Sequence, residues 1–310
     1  MRTPLKLGLF ILSLVAIFAA SFGAGQLAGP NTGSEEGHDM TADDNDGTPG
    51  EPAGAQLPGG LQIAQDGFRL EVLTPQLSTT EASPLRIRVL GPDGSPVTSY
   101  TPTHDRDLHL IVVRRDLTSY QHVHPQLDPN GVWQIPVLAP AAGQYRVFAD
   151  FQPAGRDRPL TLGADLPAPG DYRPATNPAQ SMTANVDDYT VTVEGTLVPG
   201  TSSTLTLTVA KDGAPVTDLQ PYLAAYGHLV ALRDGDLAYL HVHPDGHPGD
   251  GRTSPGPQIT FHIEVPTAGT YGLFLDFQHQ GVVRSVAFTA VAGPTGASPL
   301  TSPTQHGGHG

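Results

Sequence analysis

Through most of the chain apolar and polar residues alternate one by one. PLRIRVLGPDG around Leu85 and STLTLTVAKDG around Leu205 show it most clearly. Such a period-2 pattern running into an Asp-Gly pair predicts a half-buried strand that ends in a turn. FRLEVLTP from Phe68 and YTVTVEG from Tyr189 predict the opening strands of two separate units. No amphipathic helical spacing appears in the body of the chain. The N-terminus departs from the alternation: Leu7 to Ala24 is a continuous apolar run, preceded by Arg2 and Lys6 and followed by Glu35, Glu36 and Asp39. About 18–20 apolar residues suffice to cross a hydrocarbon core, and basic residues ahead of them place the N-terminus inside. The segment 1–29 is therefore read as a single-pass transmembrane anchor with the body extracytoplasmic. Signal cleavage near Ala19, Ala20 or Ala24, giving a secreted protein, is the competing reading.

The body contains an internal repeat. DGSPVTSYTPTHDRDLHLIVVRRDLTSYQHVHP, Asp93 to Pro125, matches DGAPVTDLQPYLAAYGHLVALRDGDLAYLHVHP, Asp212 to Pro244, without a gap at an offset of 119 residues. The match resumes in AGQYRVFADFQ from Ala142 and AGTYGLFLDFQ from Ala268, after about seven extra residues in the second copy's DGHPGDGRTSPGP. A length change of that kind belongs in a surface loop. Each copy holds about seven short strands over roughly 100 residues, the spacing of an immunoglobulin-like sandwich. The expected fold is all-β: two tandem immunoglobulin-like antiparallel β-sandwiches, at 61–170 and 183–293. An acidic spacer at 30–60, a proline-rich linker at 171–182 and a His/Gly tail at 294–310 flank them. The spacer and tail hold too little apolar surface to order themselves.

Composition narrows the function classes. The chain has 36 glycines, 31 prolines, no cysteine and a formal charge of −14. That charge excludes a nucleic-acid partner, and the missing cysteine excludes disulfides, thiolate metal sites and thiol nucleophiles.

Histidine carries the candidate chemistry. If Asp234-Gly235 forms a two-residue hairpin turn, His228 sits directly opposite His241, and His243 shares their face. With Arg115-Asp116 at the turn, His109, His122 and His124 stand in the same register. Three imidazoles on one face can ligate one metal ion. Asp150 and Asp276, at matched positions of the later strand, are candidates for a fourth ligand or for orienting an imidazole from behind. The expectation is two equivalent sites: His109, His122, His124 and Asp150 in the first copy, and His228, His241, His243 and Asp276 in the second. The histidine face also carries Ile111, Val113, Val230 and Leu232. A core with histidines hydrogen-bonded at its edge is therefore the competing reading. His104 and His279 lack histidine counterparts and are assigned to solvent. His38, Met40, His306 and His309 are at most weak scavengers of metal.

Imidazole nitrogens with a possible carboxylate suit Cu(II), Zn(II) or Ni(II), with copper favoured over zinc here. HLIVVRRDLTSYQHVHP and GQYRVFADFQPAG resemble the extracytoplasmic Ig-like domains of the YtkA-like, heavy-metal-binding family. The resemblance runs through His109, Asp116-Leu117, His122, His124, Pro125, Tyr145, Asp150 and Phe151. The second copy keeps His228, His241, His243, Pro244, Tyr271, Asp276 and Phe277 but departs at the turn. The resemblance implies metal handling, copper above all, at the cell envelope. The expected function is that of a membrane-anchored, non-catalytic metal-binding protein, its protein partner unknown. An Ig-like envelope interaction module with structural histidines is the alternative. A metal-dependent redox enzyme or hydrolase ranks third, because no nucleophile motif or paired carboxylates stand beside the histidines.

Overall fold

The computed structural model describes residues 57–176, 179–240 and 242–293. The N-terminal segment, the spacer up to residue 56, His241 and the tail from 294 lie outside the described residues. Among the described residues no helix is long and apolar enough to cross a membrane.

The first repeat contains β1 (Ala64–Gln65), β2 (Phe68–Val72), β3 (Ser83–Leu90), β4 (Leu108–Arg114), β5 (Gln121–Val123), β6 (Gln126–Leu127), β7 (Val132–Val137), β8 (Gly143–Phe151) and β9 (Leu160–Ala168). The second contains β10 (Thr183–Val186), β11 (Tyr189–Gly195), β12 (Ser202–Lys211), β13 (Ala214–Pro215) and β14 (Gly227–Arg233). It continues with β15 (Tyr239–Leu240), β16 (Val242–Pro244), β17 (Gln258–Glu264), β18 (Gly269–His279) and β19 (Val282–Ala292). All pairings are antiparallel.

One sheet of the first repeat runs β1-β2-β3-β7-β6 and the other β5-β4-β8-β9. In the second repeat the corresponding orders are β10-β11-β12-β17-β16 and β15-β14-β18-β19. With β2 as strand A, these are the A-B-E-D and C′-C-F-G sheets of an immunoglobulin sandwich. Each repeat also has the tyrosine corner of that fold. Tyr145 donates its hydroxyl to the Ala141 carbonyl at 2.8 Å, and Tyr271 to the Thr267 carbonyl at 2.8 Å.

Alternation assigns the two faces of each strand. Leu108, Leu110 and Val112 of β4 point into the first sandwich with Ile87, Trp133 and Tyr145. Leu229 and Ala231 of β14 point into the second with Leu207, Phe261 and Phe277. The opposite faces are also covered. Ile111, Val113 and Phe148 of the first repeat pack with Val230, Leu232, Leu237, Tyr239 and Phe274 of the second in a third apolar cluster. Tyr120 stacks on Phe274 there, with ring centroids 4.1 Å apart and planes at 6°. Every residue of β4 is therefore buried. The C′-C-F-G sheets of the two repeats lie face to face, and their seam is a third core.

Residues 57–60, assigned to the spacer by composition, join this fold. Gly59 bridges to Tyr239 of the second repeat, and Gly60 N–H donates to the Thr161 carbonyl of the first at 2.8 Å. Two adjacent residues thus tie both repeats at the seam, which polarity alone does not reveal.

Candidate metal centre

The loop between β4 and β5 is longer than a two-residue turn. Leu117 N–H donates to the Arg114 carbonyl and Arg114 N–H to the Thr118 carbonyl. Leu117 takes φ 62°, and its counterpart Leu237 takes φ 60°. The register is therefore shifted by two: Ile111, not His109, stands opposite His122. In the second repeat Leu232 pairs with Tyr239 and Ala231 with Leu240, the same correction to the Asp234-Gly235 turn. A shift of two residues leaves every side chain on its original face.

His109, His122 and His124 consequently come together, each offering a nitrogen within 4.8 Å of the others. His109 Nδ1 lies 3.1 Å from His122 Nε2 and 3.1 Å from His124 Nε2. β4 supplies His109 and β5 supplies His122. His124 lies where the chain leaves β5 for β6 on the other sheet.

The outward nitrogens of two of these rings are fixed. His109 Nε2–H donates to the Thr103 carbonyl at 2.8 Å. A carbonyl can only accept, so Nδ1 of the neutral ring keeps its lone pair. His122 Nδ1–H donates to Asp276 Oδ2 at 2.7 Å, which leaves the Nε2 lone pair facing His109. Burial lowers the His109 pKa to about 4 and that of His124 to about 2, and the neighbouring imidazoles add to both shifts. Two lone pairs 3.1 Å apart repel unless a hydrogen-bond donor or a cation stands beside them. The His124 Nε2–H, 3.1 Å from His109 Nδ1, or a metal ion would meet that need. The donor set fits a metal ion: imidazole nitrogens aimed at one point, with a carbonyl and a carboxylate holding the rings from behind.

Asp276 does not serve its own repeat as expected. It sits opposite His228 in the β14–β18 ladder, yet its bond crosses the seam to His122 of the first repeat. Its other oxygen accepts the hydroxyl of Ser285. Asp150 stands opposite His109 in the β4–β8 ladder and accepts the Thr161 hydroxyl at 2.8 Å.

The expected second site is not matched to the first. His228 repeats the role of His109, with Nε2–H donating to the Tyr222 carbonyl at 2.8 Å and burial lowering its pKa to about 4. His243, however, lies exposed on β16 in the A-B-E-D sheet, opposite His262. His241 lies outside the described residues. Among the described residues one triad gathers, and groups from both repeats surround it.

Two histidines assigned to solvent are placed elsewhere. The His104 ring stands 5.2 Å from that of His228 and 6.1 Å from that of His109. It lines a cavity of about 30 Å³ with His109, His122, Asp150, His228 and Tyr239, space for one small occupant. His279 is buried between the Tyr189 hydroxyl, 2.7 Å from Nδ1, and Asp218, 3.0 Å from Nε2. Neither has a histidine counterpart, so the repeat could not mark them. For His104 the visible signal was a strand apolar on both faces, which demands a covering partner; His279 is buried by groups of its own repeat.

A family model described as "Domain of unknown function (DUF8832)" matches the chain twice, at residues 63–168 and 184–293. No curated protein matches it. Among solved structures, the Yersinia pseudotuberculosis adhesin InvE is similar at 11% identity and TM-score 0.23, over 74% of this chain and 60% of that one. Invasin, a bacterial integrin-binding protein, gives 14% and 0.20 over 72% of this chain and 39% of that one. The D00-D0 domain of intimin gives 13% and 0.21 over 72% and 99%. The chain thus spans less than two thirds of the first two proteins. Scores of this size transfer no residue role, and nothing among the matches links the chain to the YtkA-like family.

Proposed function

The chain belongs to the family of the domain of unknown function DUF8832, whose description carries no activity, and we propose its function from its own geometry. It is a non-catalytic, extracytoplasmic module of two Ig-like sandwiches that holds a divalent transition-metal ion at the seam between them. One observation carries the reading: His109 Nδ1 lies 3.1 Å from both His122 Nε2 and His124 Nε2, while acceptors hold the outward nitrogens of His109 and His122. His109, His122 and His124 are the proposed ligands. A neutral nitrogen set without thiolate binds Cu(II) most tightly of the first-row divalent ions, which favours copper over zinc.

Calorimetric titration with Cu(II) and Zn(II) tests the reading. A single ion per chain is expected, with binding abolished in His122→Ala. Binding that survives unchanged in His122→Ala, or none in the wild type, refutes it.

The second reading is an Ig-like envelope interaction module whose histidines only pack the seam. The A-B-E-D and C′-C-F-G strand orders favour it. The solved structures above include an adhesin and an integrin-binding protein, and scores of this size carry no function across. Under it, His122→Ala lowers thermal stability and metal changes nothing.

A further inference from the structure

We propose that the metal centre belongs to the docked pair of repeats and not to the first repeat alone: Asp276, reaching across the seam to His122, links ion binding to seam closure. The inference rests on the metal reading above and deepens it.

All three ligand nitrogens come from the first repeat, but the group that aims one of them comes from the second. The His122 ring presents Nε2 to the cluster because its Nδ1–H is held by Asp276 on β18. Asp276 is itself anchored by the Ser285 hydroxyl on β19. With 2% of its surface exposed, it is a buried carboxylate that accepts the His122 Nδ1–H and the Ser285 hydroxyl. A cation on the far nitrogen polarises an imidazole and strengthens the N–H···carboxylate bond on the near one. An ion at the triad therefore tightens the bond that spans the seam. By reciprocity, whatever closes the seam tightens the ion.

The surroundings support the same linkage. The cavity beside the triad takes His104, His109, His122 and Asp150 from the first repeat and His228 and Tyr239 from the second. The second repeat thus forms one wall of the cavity beside the ligands. Opening the seam removes the orienting carboxylate and that wall together. The apolar contacts of Leu232 and Phe274 with the first repeat hold both in place without touching a ligand.

The test uses the full chain and Zn(II) as probe, with affinity read by competition against a chromogenic chelator. Asp276→Asn keeps the shape but loses the charge, and binding 10–100-fold weaker is expected, the usual cost of removing such a partner. Asp276→Glu recovers part of the loss. Leu232→Glu leaves all ligands intact but opens the seam, and is expected to weaken binding to a similar extent. A second readout is protease cleavage of the linker at 169–182, which Zn(II) slows in the wild type and not in Asp276→Asn. Wild-type affinity in both Asp276→Asn and Leu232→Glu overturns the inference while the metal reading stands. Absence of zinc and copper binding by the wild type overturns both. Should Asp276→Asn not fold, Leu232→Glu decides alone, since its side chain lies on the seam face and outside the core of the second sandwich.

Discussion

At the scale of single residues, the folded chain spends stability to keep its seam imidazoles neutral. Burial is the main cause of the lowered values, about 4 for His109 and His228 and about 2 for His124. The unfolded chain takes up protons near the ordinary histidine value of 6.5, where the folded chain refuses them. More protons on the unfolded state means that stability falls as pH falls. The loss begins below about pH 6.5, runs to about pH 4 for His109 and His228, and continues toward pH 2 for His124. At about 1.4 kcal/mol per unit, His109 and His228 would each withdraw on the order of 3 kcal/mol by pH 4. Chelator-treated protein should therefore melt progressively lower between pH 7 and pH 4. A melting temperature flat across that window would show that these rings are not buried as neutral bases. His104 and His279 show where residue-level reading stops: burial by another element is invisible in a residue's own neighbours.

At the scale of elements, turns decide what the strands present. The carbonyls that fix His109 and His228 belong to Thr103 and Tyr222, the first residues of matching two-residue turns. Both central residues of each turn have positive φ: His104 at 49° and Asp105 at 60°, Leu223 at 53° and Ala224 at 61°. An L-residue pays roughly 1–2 kcal/mol in that region, and glycine's extra chain entropy offsets about 0.5–1 kcal/mol of any relief. Ala224→Gly should accordingly raise the unfolding free energy from chemical denaturation by about 0.5–1 kcal/mol. No gain, or a loss, would show that the turn is not strained. The tyrosine corners make the opposite case. Tyr145→Phe and Tyr271→Phe each remove one hydroxyl bond from a buried ring and should each cost about 1 kcal/mol, additively across the two repeats. Much of this level was legible. Alternation marked the strands, and the histidine face survived an error of two in the hairpin register because a strand repeats every two residues. The turn itself was not legible, since a leucine with positive φ at Leu117 or Leu237 carries no turn signal of its own.

At the scale of the whole molecule, the sequence repeat implies two independent sandwiches, whereas the seam makes them one body. A repeat is recognised by what its copies share, and contact between copies leaves no mark in that comparison. The mark lay in HLIVVR and HLVALR, strands too apolar for a sheet with one wet face. The same blindness gave residues 57–60 to the spacer, because a Gly-Gly pair reads as flexible until something packs on it. Gly60 sits at φ 71°, and a Cβ there would run into the Phe148 ring while meeting Tyr239 at 3.2 Å. Phe148 belongs to the first repeat and Tyr239 to the second, so the clash falls on the joint and not on either sandwich core. Gly60→Ala combines a disfavoured backbone conformation with overpacking, each costing about 1–3 kcal/mol. Gly67, at φ 81°, is also strained by a side chain, but its added Cβ would only crowd Pro92 at 3.0 Å, within the first repeat. The two alanine variants should therefore part in calorimetry. Gly67→Ala shifts the single cooperative transition to lower temperature without dividing it, while Gly60→Ala separates that transition into two. A single shifted transition in Gly60→Ala would mean that the sandwiches are coupled by something other than this seam.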